Sequence, residues 1–238
     1  MDNLYIVMPA YNEEENIKDV VLKWYPLLEG KGKNSKLVIA DSGSNDNTNK
    51  ILKKLKKKYP KLEILSDTGK YHGPKVIALY DYAIKNKADY IFQTDSDDQT
   101  NPLEFEKFWN LKNKYDVILG NRVIRGDGKS RALVEKVVCI LLKIYFGIEV
   151  PDANAPFRLM KSSILKKHLY KLPSDYKLPN IMLTTYFKYY NEKVIFKEIS
   201  FKPRKAGKNS INLKKIVKIG FESLKDFYIF KQRMKSND

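Results

Sequence analysis

The chain has 238 residues, 43% hydrophobic and 31% charged, with a formal net charge of +17, which is long enough for one substantial domain whose core needs no staple. Cys139 is the only cysteine, which excludes an internal disulfide. No apolar run reaches the roughly 18 residues of a membrane-spanning helix, the nearest, Val137 to Ile148, being short and interrupted by Lys143.

In chain order, short β-rich runs alternate with longer amphipathic segments. Leu4 to Met8 reads as the first strand, reached with no basic stretch or long apolar stretch before it, so no signal peptide is expected and the protein is placed in the cytoplasm, soluble or peripheral. Asn12-Glu13-Glu14-Glu15 caps and opens the first helix with acidic residues in its first turn. Leu37 to Ala40 is the second strand, and Asn45 or Asp46 opens a Lys-rich helix ending near Pro60. Leu62 to Leu65 is the third strand; after it His72, within Tyr71-His72-Gly73-Pro74-Lys75, reads as a turn histidine rather than a sugar contact. Tyr90 to Gln93 and Val117 to Leu119 complete the strands. Cys139 sits in an apolar stretch as a small hydrophobe, and the aromatic run Tyr186 to Tyr190 reads as packing in a helix. Ile211 to Met234 mixes apolar residues at Leu213, Ile216, Val217, Leu224, Phe227, Tyr228 and Phe230 with Lys and Arg, the pattern of a basic amphipathic helix.

This βαβ series implies a mainly parallel sheet flanked by helices. Ligands of such sheets bind beyond the carboxyl ends of the strands, where strand order reverses. Three candidate loops fall there: Pro9 to Glu13, Asp41 to Ser44 and Asp95 to Gln99. The third gathers Asp95, Asp97 and Asp98. Adjacent carboxylates repel unless they share a cation or a proton, and Asp and Gln oxygens suit Mg²⁺ or Mn²⁺, ions that commonly bridge phosphates. The other reading of the same loop is an Asp-rich turn that caps the next helix. Five of the six arginines lie between Arg122 and Arg204, a skew that points to phosphate recognition in the second half.

Residues 201 to 238 hold 11 Lys or Arg against three acidic residues. That end calls for an anionic partner, nucleic acid or an anionic membrane surface. No RRM, KH or OB signature and no G-x-G-x-x-G or Walker A pattern is present, so nucleic acid is not the expected partner.

The ordered motifs Ile6-Val7-Met8-Pro9-Ala10-Tyr11-Asn12-Glu13-Glu14, Ile39-Ala40-Asp41-Ser42-Gly43-Ser44-Asn45-Asp46-Asn47-Thr48 and Asp95-Ser96-Asp97 resemble those of family 2 glycosyltransferases with the Rossmann-like GT-A fold. Gly120-Asn121-Arg122, Asp152 to Leu159 and Arg204 to Ser210 extend the resemblance to the polyprenyl-phosphate branch, the dolichyl-phosphate mannosyltransferase-like enzymes, over nearly the whole chain.

The resemblance implies a catalytic domain over 1–210, with 211–238 as an appended basic helix for which two readings stay open: lying in a membrane interface, with Val134 to Ile148 as its neighbour, or packing on the sheet with its lysines in water. It implies that Pro9, Tyr11, Glu13, Asp41 and Asp95 hold a UDP- or GDP-linked sugar. Asp95, Asp97 and Gln99 would bind Mg²⁺ or Mn²⁺, with Asp98 standing where an apolar residue is more usual. Arg122, Arg131 and Arg204 would clamp the phosphates of donor and polyprenyl phosphate acceptor during an inverting displacement. Glu135 departs from the pattern, since these enzymes often carry a Ser there. Two readings of Asp152 stay open: general base for a glycan hydroxyl, or a loop carboxylate that bonds backbone amides or pairs with Arg158.

Overall fold

The computed structural model describes residues 1–126, 128–204 and 213–235, with the side chains of residues 125, 129 and 213–223 outside that description. Four parallel strands come first: β1 (Leu4–Ala10), β2 (Lys36–Asp41), β3 (Leu62–Leu65) and β4 (Tyr90–Thr94). They are followed by β5 (Val117–Arg125), β6 (Phe157–Lys161) and β7 (Val194–Phe201). Among the described residues these form one seven-stranded sheet in the order β3-β2-β1-β4-β6-β5-β7. Only β6 runs against its neighbours, pairing antiparallel with β4 and β5, while β5 and β7 pair in parallel. The chain steps outward from β1 to β3 and then returns to the other side of β1, so strand order reverses between β1 and β4.

Helices cover both faces, and the central strands are accordingly buried along their whole length. On one face α1 (Ile17–Trp24), α2 (Thr48–Lys56) and α4 (Phe105–Trp109) pack on Leu4, Ile6, Met8, Phe92 and Phe157. Phe92 anchors this core, with ring centroids 4.7 Å from Phe157, 5.0 Å from Phe105 and 5.5 Å from Trp24. On the other face α3 (His72–Lys85), α5 (Lys129–Phe146), α6 (Ser162–Leu169), α7 (Pro179–Tyr189) and α8 (Leu213–Lys235) enclose Tyr5, Val7, Ile91, Leu119 and Met160. Tyr186 and Phe187 are buried there, as their run in the sequence implies.

The structure corrects two expectations and bears on the two readings of the C-terminal helix. Asn12 opens no helix: it adopts left-handed backbone (φ 55°), and α1 begins only at Ile17, after a turn in which the Glu13 carbonyl accepts from the amides of Asn16 and Ile17. The fifth strand runs on to Arg125 through a bulge: Asn121 pairs with Glu198 and Ile124 with Ser200, so Arg122 and Val123 face a single partner residue. Phe227, Phe230 and Met234 of α8 are buried, with Phe227 against Tyr145 and Phe146, and Phe230 against Tyr176 and Tyr186. The apolar side of that end therefore faces protein and not a bilayer. Leu213, Ile216 and Val217 lie outside the described side chains, and motif residues 205–210 lie outside the described residues.

Candidate active site

The first two motif loops are laced together. The Asn12 amide donates to Ser44 Oγ (3.0 Å), Asn12 Oδ1 accepts from the Asn45 amide (2.9 Å), and the Glu13 amide donates to Thr48 Oγ1 (2.8 Å). Asp41, at the end of β2, is 3% exposed and accepts from Ser44 Oγ (2.5 Å) and Asn49 Nδ2 (3.1 Å). It bonds no backbone amide of α2; the first of them, that of Thr48, donates instead to Asp46 at 3.0 Å, one residue before the N-cap Asn47. Pro9 stands where the β1–β4 ladder has already ended at Val7 and Gln93, so its missing N–H leaves no gap in that pairing. Its carbonyl accepts from Ser96 Oγ (2.8 Å), which joins the first loop to the third.

The third loop presents its carboxylates unequally. Asp98 takes left-handed backbone (φ 60°) and turns to Lys23 at 2.6 Å, away from its neighbours. Asp95 Oδ1 accepts from Gln93 Nε2 (3.3 Å) and lies 3.4 Å from His72 Nε2. Asp97 accepts from the Gln99 amide (3.2 Å) and lies 4.0 Å from Arg204. Burial, and then the charge of Asp95, push the Asp97 carboxyl up to about 7, with Arg204 pulling the other way. Gln99 is buried and gives its amide N–H to the Lys202 carbonyl (2.7 Å), leaving the amide oxygen as the atom that can face an ion. Arg204 is held by Glu13 at 2.5 Å. Glu13, expected to touch nucleotide, is thus committed to positioning this arginine, and its own carboxyl is raised chiefly by burial.

The bulge in β5 delivers Arg122 into a second cluster. Its Nε and Nη2 donate to the two oxygens of Asp152 at 2.7 and 2.8 Å, and the pair is buried. Glu135 adds a second carboxylate 3.4 Å from Arg122 and accepts from the Ala153 amide at 2.7 Å. The guanidinium lies 5.2 Å from the ring centroid of Phe201. Phe201 adjoins Lys202, whose amide donates to the Gln99 carbonyl (2.8 Å), so the two clusters share a backbone link. Asp152 is therefore paired with Arg122, not Arg158. Arg131 is half-buried in the first turn of α5.

A family model, Glycosyl transferase family 2, matches residues 5–169. The chain belongs to glycosyl transferase family 2. It is 23% identical over 168 residues to an undecaprenyl-phosphate 4-deoxy-4-formamido-L-arabinose transferase of Edwardsiella ictaluri (strain 93-146), a match covering 69% of this chain and 51% of that protein. It is 25% identical over 196 residues to the poly(ribitol-phosphate) beta-N-acetylglucosaminyltransferase TarP of Staphylococcus aureus (strain N315), covering 78% and 57%. The chain thus spans about half the length of the curated relatives it matches. Among solved structures, glucosyl-3-phosphoglycerate synthase of Mycobacterium tuberculosis in complex with Mn²⁺, UDP and phosphoglyceric acid shares the fold, with a TM-score of 0.68 at 18% identity over 91% of this chain and 74% of that one.

Within this family 2 chain, a cation can be held by Asp95, Asp97 and the Gln99 amide oxygen. Among the described residues no group of three or more His, Cys, Asp or Glu is placed to hold a metal. Two carboxylates and one amide leave several coordination positions for phosphate oxygens and water, the arrangement Mg²⁺ uses when it is held jointly by protein and phosphate. The donor set fits a cation at this loop: two carboxylates and an amide oxygen are hard ligands, and a divalent ion offsets the burial and the Asp95 charge that push the Asp97 carboxyl up.

Sequence reasoning missed Lys75. It is 1% exposed, donates from Nζ to the Ala10 carbonyl (2.6 Å), lies 5.2 Å from the Tyr11 ring centroid, and is lowered to about 8 by burial, against the pull of Asp41. The burial of Arg158 was not foreseen either: it is fully buried on β6, where Nη2 donates to the Ala153 carbonyl (3.1 Å) and to Thr184 Oγ1. Lysine in a helix and arginine in an apolar strand carry no local sign that they will be buried. His72, set aside as a turn residue, opens α3 beside Asp95. Cys139 faces Glu135 at 3.8 Å, and burial pushes its thiol up to about 12, far from a nucleophile's range.

Proposed function

We propose that the chain carries the catalytic domain of a metal-dependent, inverting glycosyltransferase that moves a sugar from a UDP- or GDP-linked donor to a polyprenyl phosphate at the cytoplasmic face of a membrane. The observation that carries this reading is the grouping of Asp95, Asp97 and the buried Gln99 on one loop at the β1–β4 reversal, with the Glu13-held Arg204 4.0 Å from Asp97. Carboxylates that need a cation next to an arginine oriented by a third residue suit a diphosphate. Asp41 and Tyr11 line the neighbouring loops for the nucleoside, with Lys75 beneath Tyr11. Mg²⁺ or Mn²⁺ bound at this loop supplies electrostatic stabilisation of the leaving diphosphate.

The displacement needs no strong base. An acceptor phosphate oxygen, ionised at pH 7, attacks the anomeric carbon as the bond to the diphosphate oxygen breaks, and the configuration inverts. Arg204 and Arg131 orient the reacting phosphates; holding two reactants in line lowers the barrier by about 7 kcal/mol or more. The relative from Edwardsiella ictaluri is named for an undecaprenyl-phosphate substrate, which supports this acceptor class.

A second reading rests on the charge at the β5 bulge, where two carboxylates, Asp152 and Glu135, both face Arg122. An anionic acceptor gains little from an arginine already matched, whereas a neutral hydroxyl needs a base such as Asp152. The deciding experiment measures nucleotide release from UDP- and GDP-sugars with Mn²⁺ or Mg²⁺, with and without a short-chain polyprenyl phosphate. The leading reading expects release that rises with the lipid phosphate. Release only with a saccharide acceptor moves Asp152 into the base role, and no release under any condition overturns both.

A further inference from the structure

The outer side of α5 is apolar where a solvated helix would be polar. Leu133, Val137, Ile140 and Ile144 are 64%, 47%, 58% and 68% exposed. At about 100° per residue their spacing of four, three and four confines them to an arc of about 60°, running about 16 Å along the helix. Lys136 and Lys143 are exposed on one flank of the arc, and no carboxylate is exposed among the described residues of α5; Lys143 pairs with Glu149 just beyond the helix. Val123 in the bulge and Ile124 just after it, a few residues earlier, are also exposed. The opposite side of the same helix carries Leu142 in the core and Glu135 in the Arg122–Asp152 cluster.

We propose that this stripe docks the protein on a bilayer containing anionic lipid, with α5 lying in the interface. A row of aliphatic side chains flanked by lysines, and no exposed acidic group on the helix, complements a negatively charged headgroup layer over an apolar interior. α8 packs on α5 and adds exposed Lys225, Arg233 and Lys235, with Tyr228 and Ile229 also exposed, while Phe227, Phe230 and Met234 are buried. Docking through α5 also sets the Arg122–Asp152–Glu135 cluster one helix diameter, about 10 Å, from the lipid surface. A phosphate on a membrane-embedded tail can reach that depth. This last step rests on the polyprenyl-phosphate reading; the docking itself does not.

The test is flotation of the full chain with phosphatidylcholine vesicles, with and without phosphatidylglycerol, read beside donor-sugar hydrolysis in vesicle-free solution. The chain is expected to float with the anionic vesicles, and Ile140→Glu combined with Ile144→Glu to weaken binding by about tenfold or more while hydrolysis stays unchanged. A second probe does not depend on those variants: Trp introduced as Ile140→Trp is expected to be quenched by brominated acyl chains, and Leu22→Trp on α1, across the sheet, is not. Equal flotation of the double variant, absent quenching at 140, or no flotation of the parent chain overturns the proposal. A dimer that the double variant dissolves, with no lipid binding, overturns it in favour of a second copy on this face. Hydrolysis without flotation sinks the docking and leaves the enzymatic reading; flotation without hydrolysis does the reverse.

Discussion

At Asp97 the balance of charge makes two linked predictions. Its folded-state value of about 7 lies above the ordinary 3.8, so the folded chain binds the proton more tightly than the unfolded chain. The stability this group contributes is present below about pH 3.8 and is lost as pH rises through about 7. A divalent ion must displace the same proton, so Mn²⁺ is expected to raise the melting temperature more near pH 8 than near pH 5. A metal-induced rise of equal size at both values would remove Asp97 from the ligand set. Asp97→Asn is expected to melt no lower than the parent without metal, to lose the metal-induced rise, and to lose transfer by about 100-fold or more. Lys75 behaves in the opposite sense. Its value is depressed from 10.5 to about 8, so the unfolded chain holds more protons between those values and the contribution to stability grows as pH climbs from about 8 to 10.5. The charge beneath Tyr11 is therefore kept at neutral pH against the fold's preference. Lys75→Met is expected to leave thermal stability equal or higher and to weaken nucleoside diphosphate binding by about tenfold. Calorimetric titration with UDP and GDP checks it, and unchanged affinity for both would detach Lys75 from the donor site.

At the scale of elements, α3 is set against the 176–177 segment by one residue. A methyl group on Gly73 would stand 2.3 Å from the Tyr176 carbonyl oxygen and 2.6 Å from that of Lys177, both backbone atoms that cannot swing aside. Gly73→Ala is expected to cost about 1–3 kcal/mol in urea denaturation and to shift His72 and Lys75, lowering donor affinity as well. Loss of stability with intact affinity would show that α3 yields elsewhere. The first four strands were legible because each is a compact apolar run ending in loop-forming polar residues, and the three motif loops follow from those ends. β6 was not legible: Arg158 is the second of its five residues, and what makes that charge tolerable, the Ala153 carbonyl and Thr184, comes from a loop and from α7. β7 carries Lys197 and Glu198 and lies at the sheet edge, where burial is incomplete and the apolar pattern is weak. The bulge that aims Arg122 depends on pairing with a strand more than 70 residues away, so its partners Asp152 and Glu135 could be named singly but not assembled.

For the whole molecule, the question is whether α8 belongs to the core or is an appendage on a finished domain. Its basic amphipathic sequence fits either, because an apolar stripe reads the same whether lipid or protein covers it. Phe230 is 4% exposed, with its ring centroid 5.2 Å from Tyr176 and 6.2 Å from Tyr186, both on the layer that carries α3 and α7. Phe227 closes the same seam against α5. Removing one such ring leaves a cavity walled by helices that cannot all collapse into it. Phe230→Ala is therefore expected to lower the stability of the whole chain by about 3 kcal/mol or more. The loss should appear as one cooperative transition, with the urea midpoint lowered and its slope unchanged. A helix that detached on its own would give another outcome: an early transition in hydrogen exchange confined to α8, with the global midpoint where it was. The first result makes α8 the strut that holds α5 against the sheet, so that the apolar stripe of α5 and the Arg122 cluster behind it move as one body.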